Sequence, residues 1–163
     1  MYKESNMETK KSTKKAIEKN NSQITMETCV SKVKLAFRDN CEVGINWGDG
    51  TQDYFAVPSG GNTDRHRYSK SGVHTITITG NDIRQVWCQE NRLTSLKVIG
   101  NDNLGGLYCM NNQLEELDIS KCTNLGEVYC IGNPLKRLVM GSKKWPCEVR
   151  YRETEVILPS EES

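Results

Sequence analysis

The chain has very little histidine: His66 and His74 are the only two in 163 residues. Neither stands beside a Ser or Cys in a context resembling a nucleophile elbow or a papain-like site, so nucleophilic catalysis lacks a base in any recognisable place. His66 belongs to a His-Arg-Tyr turn and His74 to a strand, and both read as structural. No acid–base pair can be placed in a cleft, and no enzymatic activity is expected. Cys-x-x-Cys is also absent, which removes the usual zinc spacings; neither a metal nor a cofactor is expected. No apolar run approaches the roughly 20 residues that a membrane-spanning helix needs. Residues 1–22 lack the apolar segment of a signal peptide and read as a polar leader. Charge of one sign is missing as well. The net charge is +1, the leader holds six Lys against three Glu, and the remainder holds 16 basic and 18 acidic residues. A near-neutral folded part has no overall excess of cations for phosphate, so nucleic acid is not an expected partner.

What the sequence does contain is a period. Val86-Trp87-Cys88-Gln89-Glu90-Asn91-Arg92-Leu93 aligns without gaps with Leu107-Tyr108-Cys109-Met110-Asn111-Asn112-Gln113-Leu114, and again with Val128-Tyr129-Cys130-Ile131-Gly132-Asn133-Pro134-Leu135. Each copy follows an apolar residue (Ile83, Leu104, Leu125) and precedes a second apolar pair: Leu96 and Val98, Leu117 and Ile119, Leu138 and Met140. The interval is 21 residues throughout, a specific signal of repetition. Alternation within each copy predicts a short strand with Val86 and Cys88, or their equivalents, facing inward. Asn91, Asn112 and Asn133 fall where the chain leaves the strand, placed to form a ladder of side-chain amides bonded to backbone. A degenerate fourth copy, from Trp145 to Leu158, has Thr154 in place of the Asn and reads as a cap.

The frame resembles the leucine-rich repeat superfamily, in particular its 21-residue bacterial subclass, Leu-x-x-Leu-x-Cys-x-x-Asn-x-Leu-x-x-Leu-Asp-x-Ser. The match from Leu104 to Asn124 includes Leu117-Asp118-Ile119-Ser120. That resemblance implies a recognition scaffold on a bacterial surface or in a secreted protein. Upstream, Val33, Leu35 and Phe37, then Cys41, Val43, Ile45 and Trp47, then Ile76 and Ile78 alternate with other residues as strands do. Trp47-Gly48-Asp49-Gly50, followed by His66-Arg67-Tyr68, resembles PKD-like immunoglobulin-type domains. In that likeness Trp47 is core, Asp49 belongs to the turn, and Tyr68 bonds backbone through its hydroxyl. Calcium at Asp49, Asp53 and Asp64 matches no standard loop.

The expected architecture is mainly β. It comprises a leader at 1–22, a small antiparallel β-sandwich-like domain at 23–80, a short repeat solenoid with a parallel sheet at 81–158, and a tail at 159–163. The three-residue junction at Gly80–Asp82 predicts that the two halves form one rigid unit. Cys88, Cys109 and Cys130 should stack on strands roughly 4.8 Å apart. A disulfide wants Cβ atoms near 3.8 Å, so these thiols should stay reduced. Cys29 with Cys41 is the one pairing left open. The outward column Trp87, Tyr108 and Tyr129 runs beside Gln89, Met110 and Ile131, and continues to Arg150 and Arg152. Such a column either supports cross-strand pairing or forms an interaction surface. The function expected is non-catalytic recognition of a protein or peptide; the alternative is a glycan stacked on the aromatics.

Overall fold

A computed structural model describes residues 22–141, 149–150 and 155–157. Every regular element among them is a strand. In chain order they are β1 (Gln23–Thr28), β2 (Lys32–Arg38), β3 (Glu42–Asn46), β4 (Gln52–Ala56), β5 (Asn62–Arg67), β6 (His74–Asn81) and β7 (Gln85–Trp87). They continue with β8 (Ser95–Ile99), β9 (Gly106–Tyr108), β10 (Glu116–Asp118), β11 (Glu127–Tyr129), β12 (Arg137–Val139), β13 (Val149–Arg150) and β14 (Glu155–Ile157). Alternation explains the longer ones: in β2, Val33, Leu35 and Phe37 are buried while Lys32, Lys34 and Arg38 are exposed. Gly48 opens the turn after β3 at φ 81°, and a Cβ there would lie 2.5 Å from the Thr75 carbonyl oxygen, so only glycine fits.

Three irregular sheets form. One has the order β4-β3-β6-β1-β8 and is antiparallel throughout. The second has the order β13-β11-β9-β7-β2-β5 and is mixed. In it β7, β9, β11 and β13 run parallel, with Val86 beside Leu107, Leu107 beside Val128 and Val128 beside Val149, whereas β2 is antiparallel to both β7 and β5. The third holds β10, β12 and β14 in parallel. One continuous core joins Ile24, Met26, Leu35, Phe37, Ile45 and Trp47 to Leu107, Leu117, Val128 and Leu138.

This architecture corrects the expected one. There is no leucine-rich repeat solenoid and no separate PKD-like sandwich capping it, and the family likenesses do not describe this fold. The cause lies in strand pairing. β8 pairs antiparallel with β1 and so belongs to the five-stranded sheet, apart from β10, β12 and β14. β7 likewise pairs with β2 as well as with β9. The 21-residue segments therefore do not close on one another as uniform units: two of the three sheets join them to N-terminal strands. Those strands occupy the edges of β7 and β8 that a preceding copy would have taken.

Candidate functional site

The outer face of the six-stranded sheet is built by simple alternation across five of its strands. On β2 it receives Lys32, Lys34, Ala36 and Arg38, since the residues between them are buried. On β5 it receives Thr63, Arg65 and Arg67, whose partners by register are Ala36, Lys34 and Lys32. On β7 and just beyond it receives Trp87, opposite Ala36, and then Gln89. β9 and β11 add Tyr108 and Tyr129.

The aromatic side chains stack on one another. Trp87 and Tyr108 lie with centroids 4.5 Å apart and planes at 4°, and Tyr108 and Tyr129 follow at 5.3 Å and 11°. The Arg38 guanidinium covers Trp87 from the opposite side, 5.2 Å from its ring centroid. Both faces of Tyr108, and both of Trp87, are thus occupied within the molecule. The Tyr108 ring comes within 3.0 Å of where a Gly106 Cβ would be, so the missing side chain lets it lie flat. Its hydroxyl donates to Glu127. Burial, aided by that carboxylate, pushes the Tyr108 phenol well above its usual pKa and keeps it neutral.

At the Trp87 end the face sinks into a groove of about 510 Å³ lined by Lys32, Lys34, Arg65, Arg67, Trp87 and Gln89, with Ala36 among the lining residues. A second hollow of about 370 Å³ shares Lys34, Ala36, Trp87 and Gln89 with it and extends past Arg38 and Thr63. The Gln89 side-chain oxygen is buried and accepts no hydrogen bond. A ladder of asparagine amides runs along the strand ends and reaches the groove at Asn91. Asn133 donates to the Cys109 and Cys130 carbonyls and accepts from the Leu114 amide. Asn112 donates to Cys88 and Cys109 and accepts from the Asn91 and Leu93 amides. Asn91 then leaves this pattern. Its side chain accepts from the Lys34 amide at 2.9 Å and donates to the Lys34 carbonyl at 2.8 Å, standing in for a strand partner where β7 does not reach.

The other singled-out residues are dispersed. Met110 is half-buried and Ile131 is 37% exposed. Arg150 is placed only as a strand residue beside Tyr129, and Arg152 lies outside the described residues. Most of the segment read as a cap, including Trp145 and Thr154, also lies outside them. Cys88, Cys109 and Cys130 are buried and none of them forms a disulfide, and burial lifts Cys88 to a pKa of about 12. Cys29 and Cys41 are both free. Trp47 is buried, donates through its indole to Asp53, and receives on its carbonyl the Tyr68 hydroxyl at 2.8 Å. Asp49 accepts from Thr51 and meets His66 at 2.7 Å, so Asp49 and Asp53 are engaged with different partners. Among the described residues no group of three or more His, Cys, Asp or Glu could hold a metal ion.

No family model matches the chain, and no curated protein or solved structure does. The site must be read from its own chemistry. Sequence reasoning missed Lys32, Lys34, Arg65 and Arg67. Their signal was present in the alternation of Lys32-Val33-Lys34-Leu35 and of Arg65-His66-Arg67. What the sequence did not show is that these two segments are neighbours.

Proposed function

We propose that this protein is a recognition module that binds a peptide segment of a partner protein in the groove between β2, β5 and Trp87. The observation that carries this reading is the open hollow over Ala36, edged by Trp87 and by the side chains of Lys34 and Arg65. An extended peptide offers alternate side chains to such a hollow, as strand-like ligands do to the pockets that read them. Sugar-ring stacking has less support, because the ring faces of Trp87 and Tyr108 are already covered.

The test is a peptide-display selection on the immobilised protein, followed by Ala36→Phe. Ala36 is half-buried on the outer side of β2, so a phenyl ring there fills the hollow without entering the core. Selected peptides should lose at least tenfold in affinity for the variant, while its thermal midpoint stays within a few degrees of the parent. Undiminished binding to a folded Ala36→Phe protein refutes the assignment of the groove.

A further inference from the structure

We infer that the groove is specific for an acidic ligand, an extended polypeptide segment carrying carboxylates at alternate residues. The inference rests on the peptide-binding reading above and adds the chemistry of its ligand. It begins from an arrangement that works against folding. Lys32 lies directly opposite Arg67, and Lys34 directly opposite Arg65, on adjacent antiparallel strands. Facing cations are destabilising cross-strand pairs. All four side chains point to the outer face and are exposed, and no carboxylate among the described residues forms an ion pair with any of them. Glu90 is the single carboxylate among the residues lining this groove. The whole chain is near neutrality, so this concentration of cations is local. Unrelieved local repulsion of this kind is expected where a ligand of opposite charge completes the structure.

The spacing selects the form of the ligand. Lys32 and Lys34 are two residues apart on one strand, as are Arg65 and Arg67 on the other, which sets like charges about 6.8 Å apart along each strand. An extended peptide with Glu or Asp at every second position repeats at the same interval and turns its carboxylates to one side. Single-stranded nucleic acid fits less well, because it stacks its bases on open aromatic faces, and those of Trp87 and Tyr108 are taken by each other, by Tyr129 and by Arg38. The groove also differs from the aromatic row in what it would cost to alter. Exchanging one of its cations for a carboxylate removes a repulsion rather than a contact.

The experiment measures fluorescence anisotropy of a labelled decapeptide of alternating Glu and Ser with the full chain, beside its Gln counterpart, an oligouridylate and an oligogalacturonate. The Glu peptide should bind at least tenfold more tightly than each of the other three, and more weakly as salt is raised. Lys34→Glu should weaken it at least tenfold while leaving the thermal midpoint unchanged or higher, because the introduced carboxylate would face Arg65. Arg65→Glu provides the reciprocal variant. A preference for the oligouridylate or the oligogalacturonate overturns the inference. So does equal binding by Glu and Gln peptides, or a Lys34→Glu protein that binds as the parent does. If neutral peptides bind and lose affinity in Ala36→Phe, the groove remains a peptide site and only the acidic specificity falls.

Discussion

Replacing Asn91 with alanine removes three side-chain hydrogen bonds at once: from the Lys34 amide at 2.9 Å, to the Lys34 carbonyl at 2.8 Å and to the Cys88 carbonyl at 3.0 Å. The Cys88 carbonyl keeps the Asn112 amide at 3.0 Å and is not orphaned. The Lys34 groups have no such reserve, because β7 pairs with β2 only from Ala36 onward. They border the groove, so water partly replaces the lost amide, and each should cost about 1–1.5 kcal/mol. The Asn91 side chain is itself almost wholly buried, at 2% exposure, and its truncation adds on the order of 1 kcal/mol for the void. The expected loss is about 3–4 kcal/mol, or roughly 10 °C in midpoint for a chain of this length. Glu90 and Arg92 on either side hold left-handed backbone (φ 59° and 51°), so the turn has no slack with which to recover the bonds. The assay is urea unfolding followed by far-ultraviolet circular dichroism and by tryptophan fluorescence. In the parent the two signals should coincide, because both large sheets take strands from either side of Gly80. Asn91→Asp should lose at least as much at neutral pH. It keeps the acceptor for the Lys34 amide but turns a carboxylate oxygen toward the Lys34 and Cys88 carbonyls. A loss below about 1 kcal/mol in Asn91→Ala would show that the amide does not replace a strand partner, and the account of how β2 is held would be wrong.

Two further outcomes are expected. In native protein, peptide-level alkylation should find Cys29 modified at least a hundredfold faster than Cys41, Cys88, Cys109, Cys122 and Cys130, since Cys29 alone among the six described is exposed. Burial also pushes the Cys41 and Cys122 thiols up to about 11; rapid labelling of Cys109 would contradict the packing. Hydrogen bonds from Thr51, with a smaller contribution from His66, hold the Asp49 carboxyl below its ordinary pKa. A depressed carboxyl stabilises the fold above the unfolded value near 3.9 and loses that contribution as pH falls through the lower range. The stability difference between the parent and Asp49→Asn should therefore be present at pH 6 and shrink steadily below about pH 4. A difference that stays constant from pH 6 to pH 2 would exclude the linkage.

Inside and outside along each strand were legible from the chain alone, because side-chain alternation with period two is local. Val33-Lys34-Leu35-Ala36-Phe37 states its own two faces before any partner is known. The intervals that bring Trp87 next to Tyr108, and Tyr108 next to Tyr129, are likewise written in the sequence, as are the asparagines after each strand. Pairing is another matter. Backbone hydrogen bonds carry no side-chain label, so a strand with a suitable apolar face can join any edge that the rest of the fold leaves open. Nothing local shows that β1 pairs with β8, that β2 borders β7, or that the Asn91 amide ends on Lys34. Those long-range choices replaced the expected sandwich and solenoid with three sheets, two of them shared between the halves of the chain. They also made the groove. Composition recorded a chain near neutrality, whereas only the antiparallel register of β2 against β5 sets Lys32 opposite Arg67 and Lys34 opposite Arg65, concentrating charge that the average conceals.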